Sequence, residues 1–527
     1  MLDRKPVFAL ILGLLTASGI WLLKISTPSG LGLIDDAISY IAAARALLSG
    51  QGFTRIWLAT ATEAITHWPP FFSFSLATIS RIFDIDPYRS ARVLNTIVFG
   101  ANAGILGFFG YKMTRSRLAG IFLSVLFLSN SALLRLHAQV LSEGLYILLS
   151  LLAFLAFMRA FEPRPHPSLP SQGEGTSPLS PKERAEGEGG NKWFILTGFL
   201  TALSYLTRYA ALSLLATFIV AILVLRPTWR KRFTSLAFFL LGAMPPIFAW
   251  MIRNKLVGGS ATNRAVEWHP VTLENTQRGL KAFFSFLIPL QDAQNNWIEN
   301  YTLLGIVLGF LTLALLFWFL SQGIKYFAKP KENNQPEVIP FVTALYIFGY
   351  MESLLVSLSF FDAATPLNDR ILSPIYVSVL ILLAYFLHKR FEQGKIVVKR
   401  LSILLAIFFV VNFGFAQVGT VEMLQETPHG FASWRWREST VIEAIRNLPD
   451  DVEVHTNQPA AVYFWTDRPV YRLWDAQPES LRAEDAVLAI FFPPDDESPE
   501  FQTWLADMTE GLVLVEKSGL GNLYRKE

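Results

Sequence analysis

Apolar stretches separated by short polar connections run through most of the chain. Eleven of them approach the ~20 residues that an α-helix needs to cross a hydrocarbon core: Val7–Leu23, Ala91–Tyr111, Leu118–Leu134, Leu141–Met158, Trp193–Thr207, Ala210–Leu225, Thr234–Met251, Thr302–Leu320, Ile339–Phe360, Ile371–Leu387 and Leu401–Gln417. Trp193–Leu225 is interrupted only by Arg208 and Tyr209. It reads as two short spans or one long tilted helix, and two are expected because the run is excessive for one crossing. Pro163–Gly190 has no apolar period and is rich in Pro, Ser, Gly and Glu. It reads as a disordered cytoplasmic linker, covering 162–192.

The polar connections are unequal. Three long segments, Lys24–Ser90, Ile252–Tyr301 and everything after Gln417, fall on one side of the threading. In the first, Ala37–Ser49 predicts an Ala-rich helix with Asp35 or Asp36 as its cap and Gly50 and Gly52 ending it. Its Ile38, Ile41 and Leu48 suit a membrane surface. Trp68-Pro69-Pro70 then opens a second apolar helix, Phe71–Phe83, with Pro70 in the first helical position, expected to dip into the interface or re-enter. In the tail, helices are predicted at Glu438–Leu448 and Glu500–Met508. Strands are predicted at Val452–His455, Ala486–Phe492 and Leu512–Glu516, an alternation that suggests a small α/β domain.

Charge decides the orientation. The clusters Lys112/Arg115/Arg117, Arg226/Arg230/Lys231/Arg232, Lys325/Lys329/Lys331 and Lys389/Arg390/Lys395/Lys399/Arg400 share a side with Arg4 and Lys5. By the positive-inside rule that side is cytoplasmic, which puts the long segments outside the cell membrane. No small-residue cleavage site follows Leu23, so the first span reads as an uncleaved anchor. The expectation is an all-α polytopic membrane protein with about eleven transmembrane helices in residues 1–417. A long first outer loop and an extracytoplasmic α/β domain in residues 418–527 complete it. Composition agrees: 52% of the 527 residues are hydrophobic and 17% charged, with 43 Phe and 14 Trp. The chain has no cysteine, which excludes disulfides, thiol catalysis and cysteine-ligated metal. Its seven histidines have no metal-binding spacing and no Gly-rich phosphate loop is present, so neither a zinc hydrolase nor a nucleotide-driven pump is supported. The expected partners are membrane lipids rather than nucleic acid.

Candidate chemistry lies on the outer side. Helix capping accounts for one carboxylate of Asp35–Asp36 but less well for two, since adjacent carboxylates repel and one gains affinity for a proton or cation. Glu143 opens the fourth span, where the helix dipole favours an anion, so capping is again the plain alternative to catalysis. Glu352 lies inside the ninth span, a costly place for a charge. Arg208, at the outer turn between spans five and six, is a partner for it. Arg370 begins the tenth span and Arg253 ends the seventh. Both are placed either to snorkel or to hold a phosphate through a bidentate guanidinium.

Five motifs lie in this order on the outer side. They are Ile34-Asp35-Asp36-Ala37-Ile38-Ser39-Tyr40, His67-Trp68-Pro69-Pro70, Leu141-Ser142-Glu143-Gly144-Leu145-Tyr146, Tyr205-Leu206-Thr207-Arg208 and Asp369-Arg370-Ile371-Leu372-Ser373-Pro374. With them, roughly the first 420 residues resemble the GT-C superfamily of membrane glycosyltransferases. The likeness is greatest to bacterial relatives of protein O-mannosyltransferases and of the lipid A aminoarabinose transferase. The resemblance implies transfer of a sugar from a polyprenyl-phosphate donor to an acceptor hydroxyl of a protein, lipid or glycan. An acidic residue among Asp35, Asp36 and Glu143 would act as the base, with Asp36 favoured. Arg370, Arg208 and Arg253 would serve the donor phosphate, and His67 and Glu352 would support the acceptor or the loop. Some members use a divalent metal; the sequence leaves that open. Two other readings stand beside it: a lipid or polysaccharide transporter or flippase, favoured by Glu352, and a non-enzymatic scaffold, which leaves Asp35–Asp36 with capping alone.

Overall fold

A computed structural model describes residues 5–59, 63–162, 181–260, 266–289, 302–330, 335–475, 481–482, 485–492 and 498–527. Eight of the eleven apolar stretches lie wholly within one helix, and Leu141–Met158 enters its helix at Glu143. Ala210–Leu225 is a 3₁₀ turn followed by a helix, and Leu118–Leu134 a pair of helices bent by 63°. Among the described residues, seven helices are long and apolar enough to cross a membrane, or eight if the bent pair Arg117–Leu128 and Ser131–His137 is one span. The protein is a multi-pass membrane protein. The long run around Arg208 is divided as expected: helix Pro181–Thr207 ends, Arg208 is extended, and a short 3₁₀ turn leads into helix Leu212–Leu225. Residues 163–180 of the expected linker lie outside the described residues. From Pro181 the backbone is helical and continuous with the apolar span, since extending an existing helix avoids the cost of nucleating one.

The chain forms two compact units. The helical one comprises Met1–Leu23, Thr96–His137 and Ser142–Val421. Its interior is aromatic: Phe157 stacks on Phe218 at 4.8 Å, with Phe154 and Phe239 edge-on to Phe218. Helices Pro181–Thr207 and Trp229–Gly258 cross in backbone contact, where a Cβ on Gly198 would fall on the Phe239 carbonyl and one on Gly242 on the Ile195 carbonyl. Such close approach through small residues replaces the hydrophobic drive that lipid cannot supply.

The second unit comprises Lys24–Asn95, Ala138–Leu141 and Glu422–Glu527. A hairpin of β1 (Thr54–Arg55) and β2 (Glu63–Ala64) lies in the first loop. The tail forms a sheet of β3 (Glu453–Thr456), β4 (Tyr471–Arg472), β5 (Ala486–Phe491), β6 (Leu512–Lys517) and β7 (Gly521–Lys526), in the order β4-β3-β5-β7-β6. β3 runs parallel to β4 and β5, and β7 antiparallel to β5 and β6. All six residues of β5 are buried, as the unbroken apolar run Ala-Val-Leu-Ala-Ile-Phe requires of a central strand. The predicted tail strands and helices are present, with the first helix shortened to Thr440–Arg446. Helix Pro459–Thr466 and strands β4 and β7 are additional. β7 is largely polar and gains its place by pairing on both edges.

The first-loop helices are present as Asp35–Leu48 and Phe71–Phe83. The first starts two residues earlier than expected. Its cap is Ile34, with no side-chain capping bond, and both aspartates stand in the first turn. Pro70 is the residue before the second helix rather than its first. The expectation that Ile38 and Ile41 rest on a membrane is also corrected. Both have no exposed surface, in a helix that packs against Phe71–Phe83 and against Pro459–Thr466 of the tail; of the three, Leu48 alone is exposed. Gly50 and Gly52 have φ +78°, the left-handed backbone expected at the helix end.

Widening the Gly198–Gly242 contact should therefore unpack the bundle. Gly198→Ile and Gly242→Ile are expected to melt at much lower temperature in detergent than wild type, at a cost of at least the ~1–3 kcal/mol of ordinary overpacking. Gly414→Ala, where a Cβ meets nothing within 4 Å, should melt as wild type does.

Candidate active site

In the helical unit, three helix ends place their charges together. Ser142 precedes helix Glu143–Arg159, so Glu143 stands in its first turn, where free N–H groups favour a carboxylate. Thr207 ends the preceding span and releases Arg208. Asn368 caps helix Asp369–Gln393 by accepting from the Ile371 N–H at 3.2 Å, which fixes Asp369 and Arg370 in its first turn. Glu143 has no exposed surface, and its Oε1 accepts from both Arg208 and Arg370. The two arginine side chains are 13% and 24% exposed, while Glu143 is fully enclosed. Next to them, Arg135 pairs with Asp369 at 3.2 Å, Tyr376 donates to the other oxygen of Asp369 at 2.8 Å, and Tyr350 donates to the Ile371 carbonyl at 2.8 Å.

The partner of Arg208 is thus Glu143 and not Glu352. Glu352 is exposed on helix Val338–Phe360 because that face of the helix looks outward. Arg253 donates to the Asn254 side chain at 3.1 Å and lies over the Trp250 ring at 4.9 Å. Trp250 in turn donates to the Tyr209 hydroxyl at 2.9 Å, beside Arg208 in the chain.

In the other unit, the aspartates are not equivalent. Asp36 accepts from the Trp68 indole N–H at 3.0 Å. Asp35 is exposed at the surface, yet its partial desolvation and then the neighbouring Asp36 charge push its pKa up. Trp68 is wedged between the rings of Trp57 and His67, at 6.0 and 5.2 Å, and His67 is exposed. Among the described residues no group of three His, Cys, Asp or Glu side chains is arranged to hold a metal ion.

The structure therefore unites Glu143, Arg208 and Arg370 in one cluster and Asp35, Asp36 and His67 in another. Glu352 joins neither. Sequence reasoning passed over Trp68 as a partner of Asp36, and over Arg135 and Tyr376 around Asp369. The Trp-Pro-Pro motif was visible, but an indole N–H donating across 32 positions has no sequence signature.

The sequence matches no protein-family model and no curated protein. The fold has solved counterparts. The ArnT of Cupriavidus metallidurans matches at TM-score 0.52 in its apo state and 0.51 bound to undecaprenyl phosphate. Each match has 12% identity and covers 97% of both chains. The oligosaccharyltransferase AglB of Archaeoglobus fulgidus, in complex with an inhibitory peptide and a dolichol-phosphate, matches at TM-score 0.54 and 9% identity, over 91% of this chain and 69% of that one. At these identities the likeness is one of fold: the chain shares the architecture of these structures.

Removing the buried anion should be costly, because it leaves two guanidiniums beside each other with no negative charge between them. Glu143→Gln keeps the volume and is expected to lose about 3–5 kcal/mol, read as a fall in thermal midpoint in detergent. An unchanged midpoint would show that this carboxylate does not hold the two arginines.

Proposed function

We propose that the protein is a glycosyltransferase that moves a sugar from a polyprenyl-phosphate donor to an acceptor hydroxyl on the extracytoplasmic side of the cell membrane. The observation that carries this reading is a fold shared over 97% of the chain with a structure that binds undecaprenyl phosphate. The acceptor oxygen attacks the anomeric carbon, the bond from that carbon to the phosphate oxygen breaks, and polyprenyl phosphate leaves with the electron pair. Displacement from the opposite face inverts the configuration. The acceptor proton passes to a carboxylate, and cations hold the departing phosphate.

Asp35 is the better base. It is open to the surface and its raised proton affinity suits proton abstraction, whereas Asp36 is held by Trp68 and acts by raising the affinity of its neighbour. This reverses the preference drawn from sequence. Arg370 and Arg208, oriented by Glu143, serve the donor phosphate, and Arg253 serves the headgroup region. Glu143 is then a positioning residue. His67, exposed beside Trp68, supports the acceptor. The transporter reading would move a lipid-linked glycan without releasing polyprenyl phosphate.

The test is release of undecaprenyl phosphate by purified protein from a panel of undecaprenyl-phosphate sugars. Asp35→Asn should lose about 10²–10⁴-fold in rate with an unchanged melting temperature. In wild type the rate should fall as pH drops through the pKa of Asp35, which is raised from its ordinary value, because the base must be ionised. Asp36→Asn keeps an acceptor for Trp68 but removes the neighbouring charge, so the acid limb should move to lower pH. Near-normal turnover in both variants would reduce the pair to helix-terminal charges.

The orientation is tested separately, since the native chain has no cysteine. Gln51→Cys and Glu438→Cys, both exposed positions, should react with an impermeant thiol reagent on intact cells, and Lys395→Cys should not. The reverse pattern would invert the assignment.

A further inference from the structure

The helix that begins with Asp35–Asp36 is preceded by Ile34, whose side chain makes no capping bond. The residues just before it are gripped from both sides by backbone. Gly32 donates to Ala138 at 2.8 Å and accepts from Val140 at 3.0 Å. Leu33 donates to the His429 carbonyl at 3.0 Å and accepts from the Phe431 N–H at 2.9 Å, a parallel bridge centred on Gly430. Gly430 has φ +69°, and a Cβ there would fall on the Leu33 carbonyl oxygen. The far end of the same helix is held by the tail as well. Arg45 donates to Asp467 at 2.7 Å and to Asp86 at 3.0 Å, and its guanidinium lies over the Phe464 ring at 5.8 Å.

We infer that the tail is a positioning element for the acidic pair: the bridge at His429–Phe431 sets where Asp35 and Asp36 stand, and the Arg45–Asp467 pair sets the direction of their helix. The inference rests on the pair being the reacting carboxylates. It gives the tail a task inside the unit rather than as an independent acceptor-binding module. Backbone bonds and a glycine suit that task, because they fix position without placing a side chain beside the carboxylates. A displacement on the order of 1 Å at a reacting group costs about 10²-fold in rate.

Two glycines with the same left-handed backbone provide a matched pair. Gly511 has φ +75°, with nothing nearer than the Arg482 side chain at 3.8 Å from a Cβ. Gly430→Ala and Gly511→Ala therefore carry similar backbone strain, but only Gly430→Ala pushes on Leu33. In the full-length protein, Gly430→Ala should speed hydrogen exchange at the Asp35–Tyr40 amides. With whichever undecaprenyl-phosphate sugar wild type cleaves, it should also lower kcat about 10²-fold with little change in KM. Gly511→Ala should do neither. Equal exchange and turnover in the two variants would overturn the inference. If wild type cleaves none of the sugars while the exchange difference persists, the glycosyltransferase reading fails and the clamp stands. If Gly430→Ala does not fold, Arg45→Gln tests the other end: faster exchange within Asp35–Leu48 and a lower kcat are expected, and wild-type values in both would overturn the inference.

Discussion

A carboxylate with no exposed surface, set between two guanidiniums, constrains the helical unit more than any other contact. Glu143 is tolerable in a membrane bundle only because Arg208 and Arg370 both reach it. Each ion alone would meet a desolvation penalty of several kcal/mol. The three helices that carry these residues must therefore end at the same place. The extended backbone at Arg208, which divides one long apolar run into two helices, is the local consequence. The triad carries a formal charge of +1 at two helix N-termini and one C-terminus, a balance suited to an anionic group such as a phosphate.

The other unit solves a different problem, which is to hold two like charges next to each other in a fixed place. Asp36 has a specific donor in Trp68, and Asp35 is left open. That division of labour converts a repulsive pair into one oriented acceptor and one carboxylate with raised proton affinity. The helix beneath them is almost wholly buried along Ala37–Ala44, so the pair is carried on a rigid element rather than on a mobile loop.

Much of this protein was legible in its sequence. In a hydrocarbon core every backbone polar group must be satisfied within the segment, so an apolar run of sufficient length is a helix whatever surrounds it. The apolar runs are helical over nearly all their length, the short Phe71–Phe83 is a helix, and the tail segments fall into the helices and strands that their periods imply. The motifs that mattered were also visible, because charged residues in such a chain are few: Asp35–Asp36, Glu143, Arg208 and Arg370 stand out against their apolar neighbours.

What only the tertiary structure decided is which charge meets which. On sequence grounds Arg208 was given Glu352 as its partner, and distance along the chain does not separate Glu352 from Glu143. Burial does, since Glu143 has no exposed surface and Glu352 lies on an outward face. Likewise, Ile38 and Ile41 have the period of a helix with an apolar side, but periodicity does not say whether that side meets lipid or protein. Here it meets protein, including a helix more than 400 positions away in the chain. Local pattern determines secondary structure because its forces are local; pairing partners are set by the three-dimensional closure of helices and strands, which no single window of sequence contains.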